Sequence, residues 1–267
     1  SKTYTQANRF IDELGLERSP WAQADLAPLY HLKGRRFRGG GETELPYELT
    51  GEERSLGPFG ILKQYVFGSM PPEVSEPGSW SRPPLADLDG MTLGEYMRSQ
   101  GASAAAVDLI RDTQWFGHAV ENGSALSSLL ADFGLFMGGA PFVLAGGNDR
   151  LPRGMASRLS RSVRYGVEVT GIRDTGEGVR VTATRGDRRE TYEADRAICT
   201  LPLGVLRDVE VEPSMPAEKR TAVSEMPYIT ATRTYLQVDR AFWYEEGVRG
   251  AAATDLPIGN VSRHPPS

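Results

Sequence analysis

The amino-acid sequence predicts a mixed α/β fold, with helices and a β-meander in the same chain. Apolar residues recur near the 3.6-residue helical period at the N-terminus and through the middle of the chain. Over residues 167–201, apolar residues alternate between glycine-containing turns, which is typical of short strands. With 267 residues, of which 39% are apolar, the chain is long enough to bury a sizeable core.

The N-terminal third is predicted to contain a helix, a hairpin and two loops. Residues 1–20 fit an amphipathic helix, and Gly15 is its expected C-terminal stop. Residues 29–37 fit a β-hairpin that turns at Lys33-Gly34. Polar and proline-rich stretches predict loops over residues 39–55 and 71–84.

The middle of the chain is predicted to be helical. Thr92 and Glu95 fit a capping box, in which the two side chains accept hydrogen bonds from backbone N–H groups at a helix start. The helix should stop at Gly101, because glycine readily adopts the left-handed conformation that closes a helix. Two further helices are expected at residues 102–117 and 124–136.

The C-terminal half is predicted to be mainly β. Residues 141–145 fit a short apolar strand, and Gly146-Gly147 turns the chain into a short helix at 151–159. The meander that follows is expected to have strands at residues 167–172, 179–183, 188–192 and 197–201, with turns at Glu177-Gly178 and Gly186-Asp187. A short helix at 219–224 and an alternating strand at 230–238 complete the prediction.

Composition and charge exclude several classes of function. The net charge of −5 provides no basic surface, so nucleic acid is not an expected partner. No apolar run approaches ~20 residues, so no membrane span is predicted. The three histidines are far apart and a single cysteine cannot form a zinc cluster, so no metal site is predicted. A cytoplasmic location is the default expectation, with secretion left open because the natural N-terminus can lie outside this sequence.

Two local features could carry chemistry or be purely structural. Cys199 lies in an apolar run with no neighbouring histidine to activate it, so a buried, inert thiol is the better interpretation. Gly146-Gly147 lets the backbone pass close to another group, and Asn148 or Asp149 can cap the helix that follows. A simple structural turn is the alternative at this position.

Two stretches near the C-terminus resemble the flavin-dependent amine oxidase family. They are RAICTLPLGVLRDVEVEP at residues 196–213 and TATRTYLQVDRAFWYEEGVRGAAATDLP at residues 230–257. The run TLPLGVL is shared with polyamine oxidases and histone demethylases, whereas GVRGAAATDLP after FW looks most like the L-amino-acid oxidase branch. A G-x-G-x-x-G loop after a strand, the dinucleotide-binding fingerprint, does not occur in the sequence. The chain is therefore expected to be the middle portion of such a flavoenzyme.

This resemblance implies a mixed substrate-domain sheet, a helical subdomain and part of an FAD-binding domain. The substrate domain is expected to take residues 1–58 and 228–267, the helical subdomain 59–140, and the β-meander of the FAD-binding domain 146–227. In such an enzyme FAD accepts a hydride from the carbon that bears an amine, an imine forms, and oxygen reoxidises the flavin with release of peroxide. The implied partners are a small-molecule amine or L-amino acid and molecular oxygen, and a homodimer is one assembly left open.

The resemblance also implies cofactor-binding residues. Val169 matches a valine whose backbone groups contact the FAD adenine. Gly146 and Gly147 belong to a GG-x-D-x-LP turn that joins the substrate-facing half of these enzymes to the flavin domain. Thr200 belongs to a C-T-x-P run, which is a strand end near the flavin in the family.

Arg233 is the candidate catalytic side chain. Alternation over residues 230–238 places it on the same strand face as Tyr235 and Gln237. In the family, the matching position usually holds a lysine that is bridged through a water to flavin N5 and is important for reoxidation by oxygen. Arginine stays cationic and could favour negative charge on the flavin or on superoxide, but it cannot readily act as a base. An exposed or ion-paired strand arginine is the structural alternative.

Residues 91–130 resemble the helical subdomain of L-amino-acid oxidases. The candidates for lining a substrate access channel are Gln114, Trp115, His118 and Leu126, with simple helix packing as the alternative. Leu130 stands where some amino-acid oxidases place a histidine, which weakens the case for the same amino-acid chemistry. A polyamine or monoamine oxidase is the second enzymatic interpretation. A non-catalytic binding module derived from the family is the third, motivated by the missing dinucleotide loop.

Overall fold

The computed structural model describes residues 4–20, 28–39, 44–76, 78–114, 117–132, 139, 141–228, 230–248 and 250–262. The chain divides into two compact units, which are Ser1–Met155 with Leu236–Ser267, and Ala156–Tyr235. Helices and mixed sheets occur together, so the predicted α/β class is confirmed. The assignment of residue ranges to a substrate domain, a helical subdomain and an FAD-binding domain stays a prediction.

The elements are numbered in chain order. The helices are α1 Thr5–Glu13, α2 Gly51–Leu62, α3 Leu93–Ser99, α4 Ala104–Thr113, α5 Gly117–Asn122, α6 Ala125–Asp132, α7 Arg150–Ser157, α8 Leu203–Leu206 and α9 Ala217–Glu225. The strands are β1 Arg18–Pro20, β2 Leu29–Leu32, β3 Arg35–Arg38, β4 Phe142–Leu144, β5 Glu168–Asp174, β6 Val179–Arg185, β7 Arg188–Ala194, β8 Glu210–Glu212, β9 Ala252–Thr254 and β10 Asn260–Val261. Within the described residues, no helix has the length and apolar character needed to cross a membrane.

The first unit contains two small sheets and most of the helices. Strand β1 pairs antiparallel with β4, and a four-stranded sheet has the order β10-β9-β2-β3, in which β2 and β9 are parallel. One apolar cluster joins β2 to helices α2, α3, α4 and α6, through buried side chains that include Leu32, Ile61, Met97, Leu109 and Leu129. Each such side chain contributes about 1.5–3 kcal/mol when it is fully buried, so this cluster is the main stabilising core of the unit.

Local signals in the sequence correctly predict several elements of this unit. Gly15 (φ +63°) ends α1, and Gly101 (φ +98°) ends α3. After each, backbone N–H groups bond back into the last turn, as in Leu16 N–H to Ile11 O and Ala102 N–H to Met97 O, both at 3.0 Å.

The predicted hairpin is present as β2 and β3. Leu32 pairs with Arg35, and both turn residues, Lys33 (φ +48°) and Gly34 (φ +74°), have positive φ. Positive φ at both central residues is the geometry of a tight two-residue hairpin turn. The prediction is confirmed because this turn depends only on adjacent residues.

Three predictions in the N-terminal half are wrong in their bounds. The helix predicted over 1–20 ends at Glu13, and Arg18–Pro20 instead forms β1. The loop predicted over 39–55 ends at Thr50, which caps α2 in a capping box with Glu53. The helices predicted at 102–117 and 124–136 flank a further short helix, α5, and residues 133–136 lie outside the described residues. The capping residues of α2 are polar, as loop residues often are, so only their spacing distinguishes the start of a helix from a loop.

The second unit is built on a four-stranded sheet with the order β7-β6-β5-β8. Strands β5, β6 and β7 form the predicted antiparallel meander, and Gly186-Asp187 makes the predicted two-residue turn between Arg185 and Arg188. The fourth strand, β8, is parallel to β5. A small apolar cluster of Leu206, Val209 and Val223 packs helices α8 and α9 against partly buried side chains of the sheet.

Two predicted strands are absent from the described chain, and one burial prediction is wrong. Residues 197–201 and 230–238 form no strand, and their side chains are largely exposed. Ile198 is 92% exposed and Leu236 is 83% exposed, while Cys199 is exposed rather than buried. A strand needs a neighbouring strand to receive its backbone hydrogen bonds. The alternating pattern indicates which side chains share a face, but it carries no information about that neighbour.

Candidate functional site

The turn at Gly146-Gly147 connects β4 to α7 and requires glycine for a local reason. The two residues have φ +79° and +105°, and a Cβ on Gly147 would lie 2.8 Å from Asp149 Oδ1. The Gly147 N–H donates to Leu144 O, and Asn148 Oδ1 accepts from Leu144 N–H, both at 2.9 Å. Asn148 therefore holds the end of the strand, where the sequence suggested a helix cap. These contacts account for the turn, and a role beside the flavin stays a prediction.

Val169 is half-buried in β5, opposite Ala183 of β6, next to a β-bulge that precedes Gly171. Its side chain packs against the cluster formed by Leu206, Val209 and Val223. Strand β8 pairs with β5 only from Gly171 to Arg173, so it does not cover that edge of β5 beside residues 168–170. The backbone donors and acceptors on that side of residues 168–170 are therefore not paired with β8. The contact of Val169 with FAD stays a prediction.

Thr200 and Arg233 lie on exposed segments of the second unit that form neither helix nor strand. Thr200 precedes α8, and Arg233 follows α9. The strand face that Arg233 was predicted to share with Tyr235 and Gln237 does not exist, because residues 230–238 form no strand. Among the described residues, no carboxylate lies within ion-pair distance of Arg233. The structure thus places Val169, Thr200 and Arg233 on three separate segments of one unit, and it leaves the arginine charge uncompensated within the described chain.

Three of the predicted access-channel residues, Gln114, His118 and Leu126, lie on or directly after consecutive helices of the first unit. Gln114 follows the last residue of α4, and its carbonyl accepts a hydrogen bond from Asn260 Nδ2 at 3.2 Å. Leu126, on α6, is partly buried and packs against the main core. His118 lies on α5, where its side chain is outside the described features, and Trp115 lies outside the described residues. Helix α4 contacts α5, while α3 contacts both α5 and α6, so these positions belong to one helical assembly.

A polar network that the sequence does not reveal anchors α4. Tyr47 Oη donates to Asp112 Oδ2 at 2.7 Å, while Arg111 forms ion pairs with Asp108, Asp112 and Glu121 at 2.8, 2.9 and 2.8 Å. Burial and the Asp112 hydrogen bond raise the pKa of Tyr47 well above its usual range. Hydrogen bonding to Asp112 likewise raises the pKa of Arg111. Tyr47 and Asp112 are too far apart in the sequence for any local pattern to predict their contact.

In the described part of the chain, the clearly shifted pKa values all move away from neutrality. Burial raises the pKa of the tyrosines Tyr30, Tyr47 and Tyr65. Burial alone would raise the pKa of Glu53, but its hydrogen bonds outweigh burial and lower it. Hydrogen bonds also lower the pKa of Glu95 and of Glu190. A general acid or base works best when its pKa lies near the working pH. The hydrogen bonds and burial behind these shifts are structural, so none of these side chains is a candidate general acid or base.

Comparisons with known proteins agree on one family over almost the whole chain. The family model described as flavin containing amine oxidoreductase matches residues 1–266. The L-amino-acid oxidase of Echis ocellatus is 28% identical over 260 residues, which cover 93% of this chain and 50% of that protein. The L-amino-acid oxidase of Demansia vestigiata is 27% identical over 256 residues, covering 93% of this chain and 48% of that protein. The chain thus spans about half the length of the curated relatives it matches.

Solved structures share the fold at lower sequence identity. Wild-type putrescine oxidase bound to putrescine has a TM-score of 0.63 and 19% identity, and the match covers 97% of this chain and 58% of that chain. Cyclohexylamine oxidase from Brevibacterium oxydans has a TM-score of 0.52 and 19% identity, covering 84% of this chain and 50% of that chain. At these identities the similarity concerns the fold.

Proposed function

Because the chain belongs to the flavin-containing amine oxidoreductase family, we propose that it is the central portion of an FAD-dependent oxidase of amines or L-amino acids. The match of the family model to residues 1–266 carries this proposal. When bound, FAD supplies the redox chemistry by accepting a hydride from the carbon that bears the amine and passing electrons to oxygen, which is released as peroxide. The resulting imine is hydrolysed by water.

Two parts of the chain are proposed to hold the cofactor. The uncovered edge of β5 at residues 168–170 would hydrogen-bond the adenine through backbone groups, with Val169 at its centre. Thr200, in the same unit, would approach the flavin through its backbone and hydroxyl groups. Substitution of Val169 by another apolar residue should change cofactor affinity little, because a backbone contact does not depend on the side chain.

Arg233 is proposed to supply positive charge beside the reacting part of the flavin. The guanidinium is always protonated, so it stabilises developing negative charge and does not remove a proton. Its exposed position, without a described carboxylate partner, leaves the full charge available to a bound cofactor. This role does not depend on Arg233 lying in a strand, so it is compatible with the absence of the predicted strand at 230–238.

The first experiment compares FAD binding by this chain and by the product extended to the natural gene ends. Flavin fluorescence and thermal shift measure binding, and peroxide release measures turnover with L-leucine, L-phenylalanine, putrescine and cyclohexylamine. We expect the extended protein to bind FAD and to oxidise at least one of these amines. Absence of FAD binding by both proteins would refute the oxidase proposal and favour a non-catalytic binding module.

The role of Arg233 is tested with a charge-matched series in the FAD-binding protein. Arg233→Met should slow flavin reoxidation by oxygen by about tenfold or more, since one charge-stabilising donor is typically worth that much. Arg233→Lys should retain most of the rate. The control Arg188→Met removes an exposed arginine from β7 and should leave the rate unchanged. Equal effects of the Arg233→Met and Arg188→Met substitutions would exclude the proposed role.

Of the two candidate substrate classes, we favour L-amino acids, and other amines are the second candidate. The curated relatives that align over 93% of the chain are L-amino-acid oxidases. The putrescine and cyclohexylamine oxidases, which are similar in fold at 19% identity, support the alternative. Preferential turnover of putrescine or cyclohexylamine over both amino acids would decide for the second candidate.

A further inference from the structure

An open cleft of about 460 Å³ lies in the second unit beside β8, α8 and α9. Its volume falls within the range of ~300–1,000 Å³ that is typical of small-molecule sites. Its apolar lining consists of Leu206, Val209, Val211, Met215 and Val223, and its polar lining of Arg207, Ser214, Arg220 and Ser224. No carboxylate is among these lining residues.

The floor of the cleft is the apolar cluster of this unit. Leu206, Val209 and Val223 are 7, 9 and 5% exposed, and Val211 and Met215 pack against them. A ligand with a hydrocarbon portion would extend this cluster and remove further apolar surface from water. The floor therefore favours a ligand with an apolar body.

Two arginines stand at the rim, and both are held by neutral groups. Arg207 Nε donates to Val223 O at 2.6 Å, and its Nη2 donates to Met226 O at 2.7 Å. Arg220 Nη1 donates to Met215 O at 2.7 Å and to Ser214 Oγ at 3.2 Å. These bonds orient the guanidinium groups without neutralising them. Among the described residues, no carboxylate lies within ion-pair distance of either arginine.

Arg220 retains donors suited to a carboxylate. Its Nε and Nη2 groups have no acceptor among the described residues, and together they form a planar fork. Such a fork matches the two oxygens of a carboxylate in a bidentate arrangement. Ser214 and Ser224 add hydroxyl groups to the same cleft.

We propose that this cleft binds an amphipathic carboxylate. The apolar body lies on the floor of Leu206, Val209 and Val223, and the carboxylate binds at the Arg220 rim, with Arg207 contributing positive charge. A neutral amphiphile lacks the anionic group, and a cationic one is repelled by both arginines. This site is independent of the proposed oxidase activity, since binding needs neither FAD nor turnover.

Isothermal titration of the complete protein with octanoate tests the proposal. Butanoate should bind more weakly, by at most about fourfold for each methylene that leaves the floor, since that is the value of full methylene burial. Octan-1-ol and octylamine, which have the same chain without the negative charge, should bind at least about tenfold more weakly than octanoate. Absence of octanoate binding at millimolar concentration, or equal binding of octylamine, would overturn the proposal.

Variants then locate the binding site. Arg220→Gln should weaken octanoate binding by about tenfold, and Arg220→Lys by less, because lysine keeps the charge but loses the fork. Arg188→Gln, on β7 outside the cleft, is the matched control and should leave the affinity unchanged. A common thermal midpoint verifies that all variants fold. Equal weakening by Arg220→Gln and Arg188→Gln, or displacement of octanoate by FAD, would show that the cleft is not the proposed site.

Discussion

Replacing Glu53 with glutamine tests whether one buried carboxylate joins the starts of two helices. Glu53 is 0% exposed. Its Oε2 accepts from Thr50 N–H at 2.9 Å and from Ser103 Oγ at 2.7 Å, and its Oε1 accepts from Ser103 N–H at 2.8 Å. Thr50 begins α2 and Ser103 begins α4, so the carboxylate links helices that are distant in the sequence.

The expected loss of stability follows from these three hydrogen bonds. Burial alone would raise the pKa of Glu53, but the hydrogen bonds from Ser103 and Thr50 outweigh it and lower the pKa, so the ionised form is the one that is held. Hydrogen bonds to a charged group contribute about 1.5–3 kcal/mol each, compared with about 0.5–1.5 for neutral ones. Glutamine keeps one carbonyl acceptor but turns an NH₂ group toward the remaining donors. Glu53→Gln should therefore lower the free energy of unfolding by about 3 kcal/mol.

Equilibrium urea unfolding of the complete protein, followed by circular dichroism, measures this change. The matched control is Glu95→Gln in α3. Glu95 forms the same capping box, with Thr92 N–H donating to Glu95 Oε2 at 2.7 Å, but it is exposed and bonds to no second helix within the described residues. Glu95→Gln should cost much less. If the two substitutions lower the free energy of unfolding equally, the link between α2 and α4 adds nothing and the reasoning is wrong.

Two further predictions concern stability. Because the pKa of Glu53 is lower in the folded protein than in an unfolded chain, its contribution is present above the pKa of an unfolded glutamate and is lost as the pH falls through the folded pKa. Urea unfolding from about pH 6 to about pH 3 should show a steeper acid loss for the wild type than for Glu53→Gln, and parallel curves would contradict this. Gly101→Ala should cost about 1–2 kcal/mol, because φ is +98° there, whereas the control Gly90→Ala, at ordinary φ in open space, should cost less in the same unfolding assay. Equal costs for the two alanines would remove backbone strain as the cause.

The sequence by itself determined the elements whose hydrogen bonds close within a few residues. The capping box of Thr92 and Glu95, the hairpin turn at Lys33-Gly34 and the helix stop at Gly101 are present as predicted. The family could also be recognised from the sequence, because its motifs are contiguous runs of residues. In each case the information lies within one short stretch of chain.

Contacts between distant segments were decided only by the tertiary structure. The sequence shows that Glu53 can cap α2, but not that Ser103 will share its carboxylate. Alternation at 197–201 and 230–238 predicted strands, yet these segments have no strand partner in the described chain, and Cys199 is exposed as a result. Likewise, the match of Arg233 to a family position suggested its role, but the sequence did not show which residues surround it. A local pattern specifies which side chains share a face, whereas burial, pairing and charge compensation depend on which distant segment packs there.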